Sequence, residues 1–182
     1  PGPDDAAYRW VVIQRRRYTS GRLAADQVTR LETLPGWRWR LRSKAHRLSM
    51  VHGDFHPWNF MFREGTDFSV LDRSRGEWGE PADDITALAM NYIFYSVQKS
   101  LRLTGDLKDL FELFFESYLE KTGDDELLEV IAPFFAFRAV VVASPTWYPL
   151  LSDDVRRAIF NFLENVLASE RFNYRDVNGY LD

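Results

Sequence analysis

The sequence contains no cysteine. That excludes a disulfide framework, a thiol nucleophile and a thiolate zinc site, and it accords with a reducing compartment. Histidine is almost as scarce, with three residues in the whole chain. Lysine occurs only at positions 44, 99, 108 and 121, and no glycine-rich loop is present. No apolar run reaches the roughly 18 residues that a membrane helix needs. The longest, VIAPFFAFRAVVVA over 130–143, is interrupted by Pro133 and Arg138 and reads as a buried helix. No charged-then-apolar leader opens the sequence. The expected location is cytoplasmic, and no membrane partner is expected.

The chain has 182 residues, 46% hydrophobic, 27% charged and 15% aromatic. Those values suit one globular domain, or one lobe of a larger protein. Charge is unevenly spread. Residues 1–51 hold 11 basic and 4 acidic side chains (+7), and 52–182 hold 12 and 23 (−11), giving the net −4. The basic residues are scattered over helical stretches with no nucleic-acid motif beside them, so a solvated helix surface is expected, not a nucleic-acid partner.

Residues 1–49 read as a helical lead-in, with helices over 4–19 and 20–34, the second capped at Ser20 and stopped by Pro35-Gly36. Trp37 and Trp39 follow in an extended connector. The period then changes to that of strands. FMF (60–62) and FSVL (68–71) flank the polar loop REGTD, which predicts a β-hairpin. Asn59 and Asp72 stand at its outer ends, and an antiparallel pair holds such ends within about 5 Å. From Asp83 onward the sequence is helical. Segments starting at Asp83, at Asp106 and near Asp125 are followed by one capped at Ser152, and Pro133 predicts a break. The acids at 124–126 and 153–154 suit helix starts. Trp58, Trp78, Trp147 and Tyr148 are expected to pack in the core.

The chemistry concentrates in MVHGDFHPWNFMF (50–62). His52, Asp54 and His56 alternate, so in an extended segment they share a face, and GDFH is similar to the metal-binding loops of dinuclear phosphoesterases. Those sites need further ligands from later loops, yet the remaining histidine, His46, lies upstream. Phosphoryl transfer needs other parts. A kinase catalytic loop has the form H-x-D-x-x-x-x-N, then a strand pair, then a second aspartate. His52, Asp54, Asn59, the hairpin and Asp72 have that form. One carboxylate orients the attacking hydroxyl and takes its proton. A carboxylate and an amide oxygen face the magnesium that bridges nucleotide phosphates.

The run VHGDFHPWNFMF…FSVLDRSRGEWGEPADDITALA, within 50–89, resembles the aminoglycoside phosphotransferase family of small-molecule kinases, which share the protein-kinase-like fold. The resemblance implies Asp54 as catalytic base, with His52 beside it as a brace of the loop. It implies Asn59 and Asp72 as ligands of Mg²⁺ and so of the nucleotide, ATP or GTP. Asp84, opening the next helix, would support the catalytic backbone. The acceptor would be a small-molecule hydroxyl.

The sequence departs from that pattern in three places. Asp72 is followed by Arg73-Ser74-Arg75, for which surface ion pairs are the expectation. GEP stands where GDP is usual, with Glu80 expected to be harmless. No phosphate-covering loop or strand lysine precedes the catalytic loop. The expected fold is therefore mainly α with one small hairpin, a single C-terminal kinase-like lobe over 1–182. Its parts are the lead-in, a catalytic and metal-binding segment at 50–85, and a helical subdomain at 86–182. The N-terminal lobe becomes a missing partner, and the chain alone should be inactive. The alternatives are a non-catalytic kinase-like module and, behind it, a metal-dependent phosphoesterase.

Overall fold

The structure is a computed structural model that describes residues 13, 17, 21–33, 47–73 and 77–182. The chain divides into two compact units, 1–46 and 47–182. In the first, helix α1 spans Ala25–Glu32. The Ser20 cap, the Trp37–Trp39 connector, His46 and most of the first predicted helix lie outside the described residues.

The second unit begins with β1 (Ser49–Met50), which pairs antiparallel with β4 (Trp78–Gly79). Gly79 permits this approach, because a Cβ there would stand 2.8 Å from Cγ2 of Val51, a stiff β-branched side chain. Between those strands lies the predicted hairpin. A 3₁₀ turn at Pro57–Asn59 leads into β2 (Phe60–Phe62), which pairs with β3 (Phe68–Val70). Five helices follow: α2 (Pro81–Ser100), α3 (Gly105–Thr122), α4 (Leu127–Val130), α5 (Ala132–Ala143) and α6 (Asp153–Ala168); a short α7 (Val177–Leu181) closes the chain.

Helix α2 organises the core. It starts two residues before the predicted Asp83, with Pro81 in its first turn and Glu80 as N-cap. Proline suits that position because its missing N–H would be unpaired there anyway. Ala82, Ile85, Ala89, Met90, Ile93 and Val97 bury its length among the other helices. Phe111, Phe115, Phe135 and Phe162 are fully buried around it, each contributing roughly 2 kcal/mol. Phe135 packs edge-on to Phe162 at 5.3 Å and lies 4.9 Å from Phe172. The predicted break falls at Ile131, which separates α4 from α5, and Ser152 Oγ accepts from Val155 N at 3.4 Å to start α6. Among the described residues no helix is long and apolar enough to cross a membrane.

Three expectations are corrected. Trp58, Trp78 and Trp147 are exposed, not core, and Tyr148 packs its half-exposed ring against Phe94. Trp58 sits in the 3₁₀ turn, Trp147 in a loop and Trp78 in a two-residue strand, and among the described residues no second layer covers them. Glu80 does more than stand in for the usual aspartate, because it faces the buried Arg47. The Arg47 guanidinium donates Nε at 2.9 Å and Nη2 at 2.7 Å to Glu80 Oε1. It also donates Nη2 to Asp124 Oδ2 at 2.8 Å and Nη1 to Asp124 Oδ1. The 124–126 acids therefore do more than start a helix: Asp124 and Glu126 both face Arg47.

Tyr118 OH donates to Asp124 Oδ2 at 3.0 Å. Burial, together with the Asp124 carboxylate, pushes the Tyr118 hydroxyl up to about 12. Burial raises the Asp124 carboxyl, but the hydrogen bonds from Arg47 and Tyr118 outweigh it and hold it below the ordinary value. The hydrogen bond to Asp124, against the cost of burial and with help from Glu80, keeps Arg47 charged beyond its usual range.

Removing one partner of a buried pair strands the other charge, so Arg47→Met should lower stability by roughly 3–5 kcal/mol in denaturant unfolding. The Asp124 contribution is complete above its unfolded pKa of about 4 and is lost as pH falls through the lower folded value. The stability gap between wild type and Asp124→Asn should thus be constant near neutrality and close below about pH 4; a pH-independent gap would contradict this.

Candidate active site

The loop joining β1 to the 3₁₀ turn carries His52, Gly53 and Asp54, and the first turn of α2 holds it. Asp84 accepts two backbone hydrogen bonds there, from His52 N at 2.6 Å on Oδ2 and from Gly53 N at 2.8 Å on Oδ1. A charged acceptor strengthens both bonds. Gly53 has φ 83, a left-handed conformation that an L side chain resists, and this sharp turn directs the two amides toward one carboxylate.

The Asp54 side chain is mostly buried. Its Oδ2 lies 3.5 Å from His56 Nε2, and its Oδ1 lies 4.0 Å from Nη1 of Arg138. Its backbone N–H donates to His52 Nδ1 at 3.3 Å, and its backbone oxygen accepts from Asn59 Nδ2 at 2.9 Å. The Asn59 amide nitrogen is thereby committed to the loop, which leaves Oδ1 as the atom Asn59 can offer to a cation. His52 Nε2 and His56 Nδ1 are buried without a hydrogen-bond partner among the described residues.

The hairpin brings Asn59 opposite Leu71, whose N–H donates to Asn59 O at 2.8 Å. Asp72 is the next residue, so the register differs by one from the predicted Asn59–Asp72 pairing. Asp72 leaves the ladder with φ 58 and is exposed. Aspartate tolerates that conformation better than most residues, and such departures concentrate at functional sites. Among the described residues Arg73 makes no surface ion pair of the expected kind. Its Nε donates to Val51 O at 3.1 Å, tying the segment after the hairpin to the residue before His52. Residues 74–76 lie outside the described residues.

The family model described as the phosphotransferase enzyme family matches residues 2–110, more than half of the chain. The chain belongs to this family. No curated protein and no solved structure matches it. In this phosphotransferase the match takes in every candidate site residue named from the sequence, from His52 to Asp84, and ends inside α3. Transfer of a phosphoryl group is the chemistry the family carries in general.

The oxygen donors of Asn59 and Asp72 are of the kind that hard cations take. Among the described residues no group of three or more acidic or histidine side chains is gathered for a metal. Two protein oxygens fit Mg²⁺, which usually keeps its waters and binds through one or two carboxylates plus substrate phosphates. Arg138, which adjoins Asp54, was not singled out as a site residue. One signal was available: a lone arginine in an apolar helix must find a partner if it is buried.

Replacing Asp84 by Ala would leave the two loop amides without their acceptor, at a cost of roughly 1–3 kcal/mol. Hydrogen exchange should lose protection at His52 and Gly53 in Asp84→Ala, and retained protection at both would contradict the bracing geometry.

Proposed function

We propose that this phosphotransferase moves the γ-phosphoryl group of a nucleotide, ATP or GTP, to a hydroxyl of a small molecule. The observation that carries the reading is the arrangement around Asp54. Its carboxylate is oriented at the end of a braced loop, and its own backbone oxygen fixes the Asn59 amide beside the hairpin that delivers Asp72. In this reading Asp54 is the base and His52 shapes its loop by accepting the Asp54 amide. Asn59 Oδ1 and the Asp72 carboxylate hold Mg²⁺ with the nucleotide. Bound Mg²⁺ would supply charge neutralisation among the nucleotide phosphates.

Asp54 receives the proton of the acceptor hydroxyl as that oxygen bonds to the γ-phosphorus. The bond from the γ-phosphorus to the bridging oxygen breaks, and the nucleoside diphosphate leaves with its electron pair. The contributions of this chain are positioning and electrostatics, the main sources of rate in phosphoryl transfer. The mainly helical second unit with its small β region supports reading the chain as the C-terminal, catalytic lobe of a kinase-like fold. Residues 1–49 carry no glycine-rich loop, so nucleotide held by Asn59 and Asp72 alone should bind weakly.

In the full-length protein Asp54→Asn should abolish nucleotide turnover, by about 10³-fold or more, while Mg-nucleotide affinity measured by calorimetry stays close to wild type. Turnover equal to wild type would sink the assignment of the base.

A further inference from the structure

Arg138 lies on α5, beyond the segment that matches the family. Its side chain is 12% exposed, and its Nε is buried without a hydrogen-bond partner among the described residues. Nη2 donates to Asp83 Oδ1 at 2.6 Å and reaches Asp83 O at 3.5 Å. Nη1 faces Asp54 Oδ1 at 4.0 Å. On the remaining side its Cζ lies 5.4 Å from the centre of the Phe137 ring.

A clamp between α5 and the start of α2 would need only the Asp83 bond. That bond does not account for a second guanidinium nitrogen directed at Asp54. The two distances divide the roles. At 2.6 Å Asp83 anchors the planar guanidinium, and 4.0 Å is too long for a hydrogen bond yet close for two opposite charges in a largely buried setting. Asp54 therefore experiences a fixed positive charge on one side without surrendering a lone pair to it. That charge bears on the direction in which the carboxylate is held.

We propose that Arg138 is a positioning residue for phosphoryl transfer: anchored by Asp83, it orients the Asp54 carboxylate toward the acceptor hydroxyl. This rests on Asp54 being the base. It adds a requirement carried by a helix distant in sequence from the catalytic loop.

The experiment uses the full-length protein with MgATP, water as the only acceptor, and ADP release as the readout. Folding of each variant is checked by circular dichroism. Arg138→Met should lower kcat about 10²-fold, the scale of a misplaced reacting group, with the KM for MgATP unchanged. Arg138→Lys, which restores a charge at the tip, should recover part of that loss. If Arg138→Met does not fold, Arg138→Gln keeps a donor for Asp83 without the charge, and the same kcat loss is expected.

A folded Arg138→Met or Arg138→Gln protein with wild-type kcat overturns the inference, as does a changed KM at constant kcat. Asp54→Asn separates the two levels. If it is inactive while the Arg138 variants are fully active, only the inference about Arg138 fails. If Asp54→Asn turns over like wild type, or wild type releases no ADP, the reading of the base fails and this inference with it.

Discussion

The two backbone hydrogen bonds received by Asp84 govern the candidate site. They join residues 31 and 32 positions apart in sequence, and they attach a loop with little core of its own to the helix with the most. Gly53 must take a left-handed conformation for both amides to reach one carboxylate, and the turn it makes sets the course of Asp54. The 3₁₀ turn then brings Asn59 back onto the Asp54 carbonyl, so the loop closes on itself before the hairpin begins.

The start of α2 serves as a junction because its acids take different partners. Glu80 faces Arg47, Asp83 faces Arg138, and Asp84 faces backbone amides. All three also lie where the helix dipole favours negative charge. Through Arg47 the junction reaches the segment before β1 and the turn after α3. Through Arg138 it reaches α5. The loop is thus held from several directions by ionic contacts whose partners are largely withdrawn from water, where an unpaired charge is costly. Shape and charge are coupled at this point, since a change that strands one carboxylate also loosens the loop it supports.

Features set by neighbours in sequence were legible in advance. The hairpin was visible because REGTD separates two apolar runs and Gly65 can adopt the φ of 57 its turn uses. The break at Pro133 and the Ser152 cap follow from proline's missing donor and serine's acceptor oxygen. The candidate residues His52, Asp54 and Asn59 stand close in sequence, so their spacing could be read before any fold was known. Features set by distant partners were not. Arg47 and Asp124 are 77 residues apart, and no local pattern announces such a pair. The β1–β4 ladder is two residues long on each side, too short to show a period. The three tryptophans were misjudged because size predicts burial only where another layer exists to cover the ring. Glu80 looked interchangeable with aspartate, yet its longer side chain serves at once as helix cap and as partner of a buried guanidinium.

The account stands on the claim that Asn59 and Asp72 together hold a cation with nucleotide phosphate. Manganese, a paramagnetic substitute for magnesium, tests it directly when added with ATP to the isotope-labelled full-length protein. The strongest relaxation enhancement should fall on the Asn59 side-chain amide and the Asp72 backbone amide, and should vanish without nucleotide or in Asp72→Ala. Enhancement centred elsewhere, or unchanged in Asp72→Ala, would contradict it.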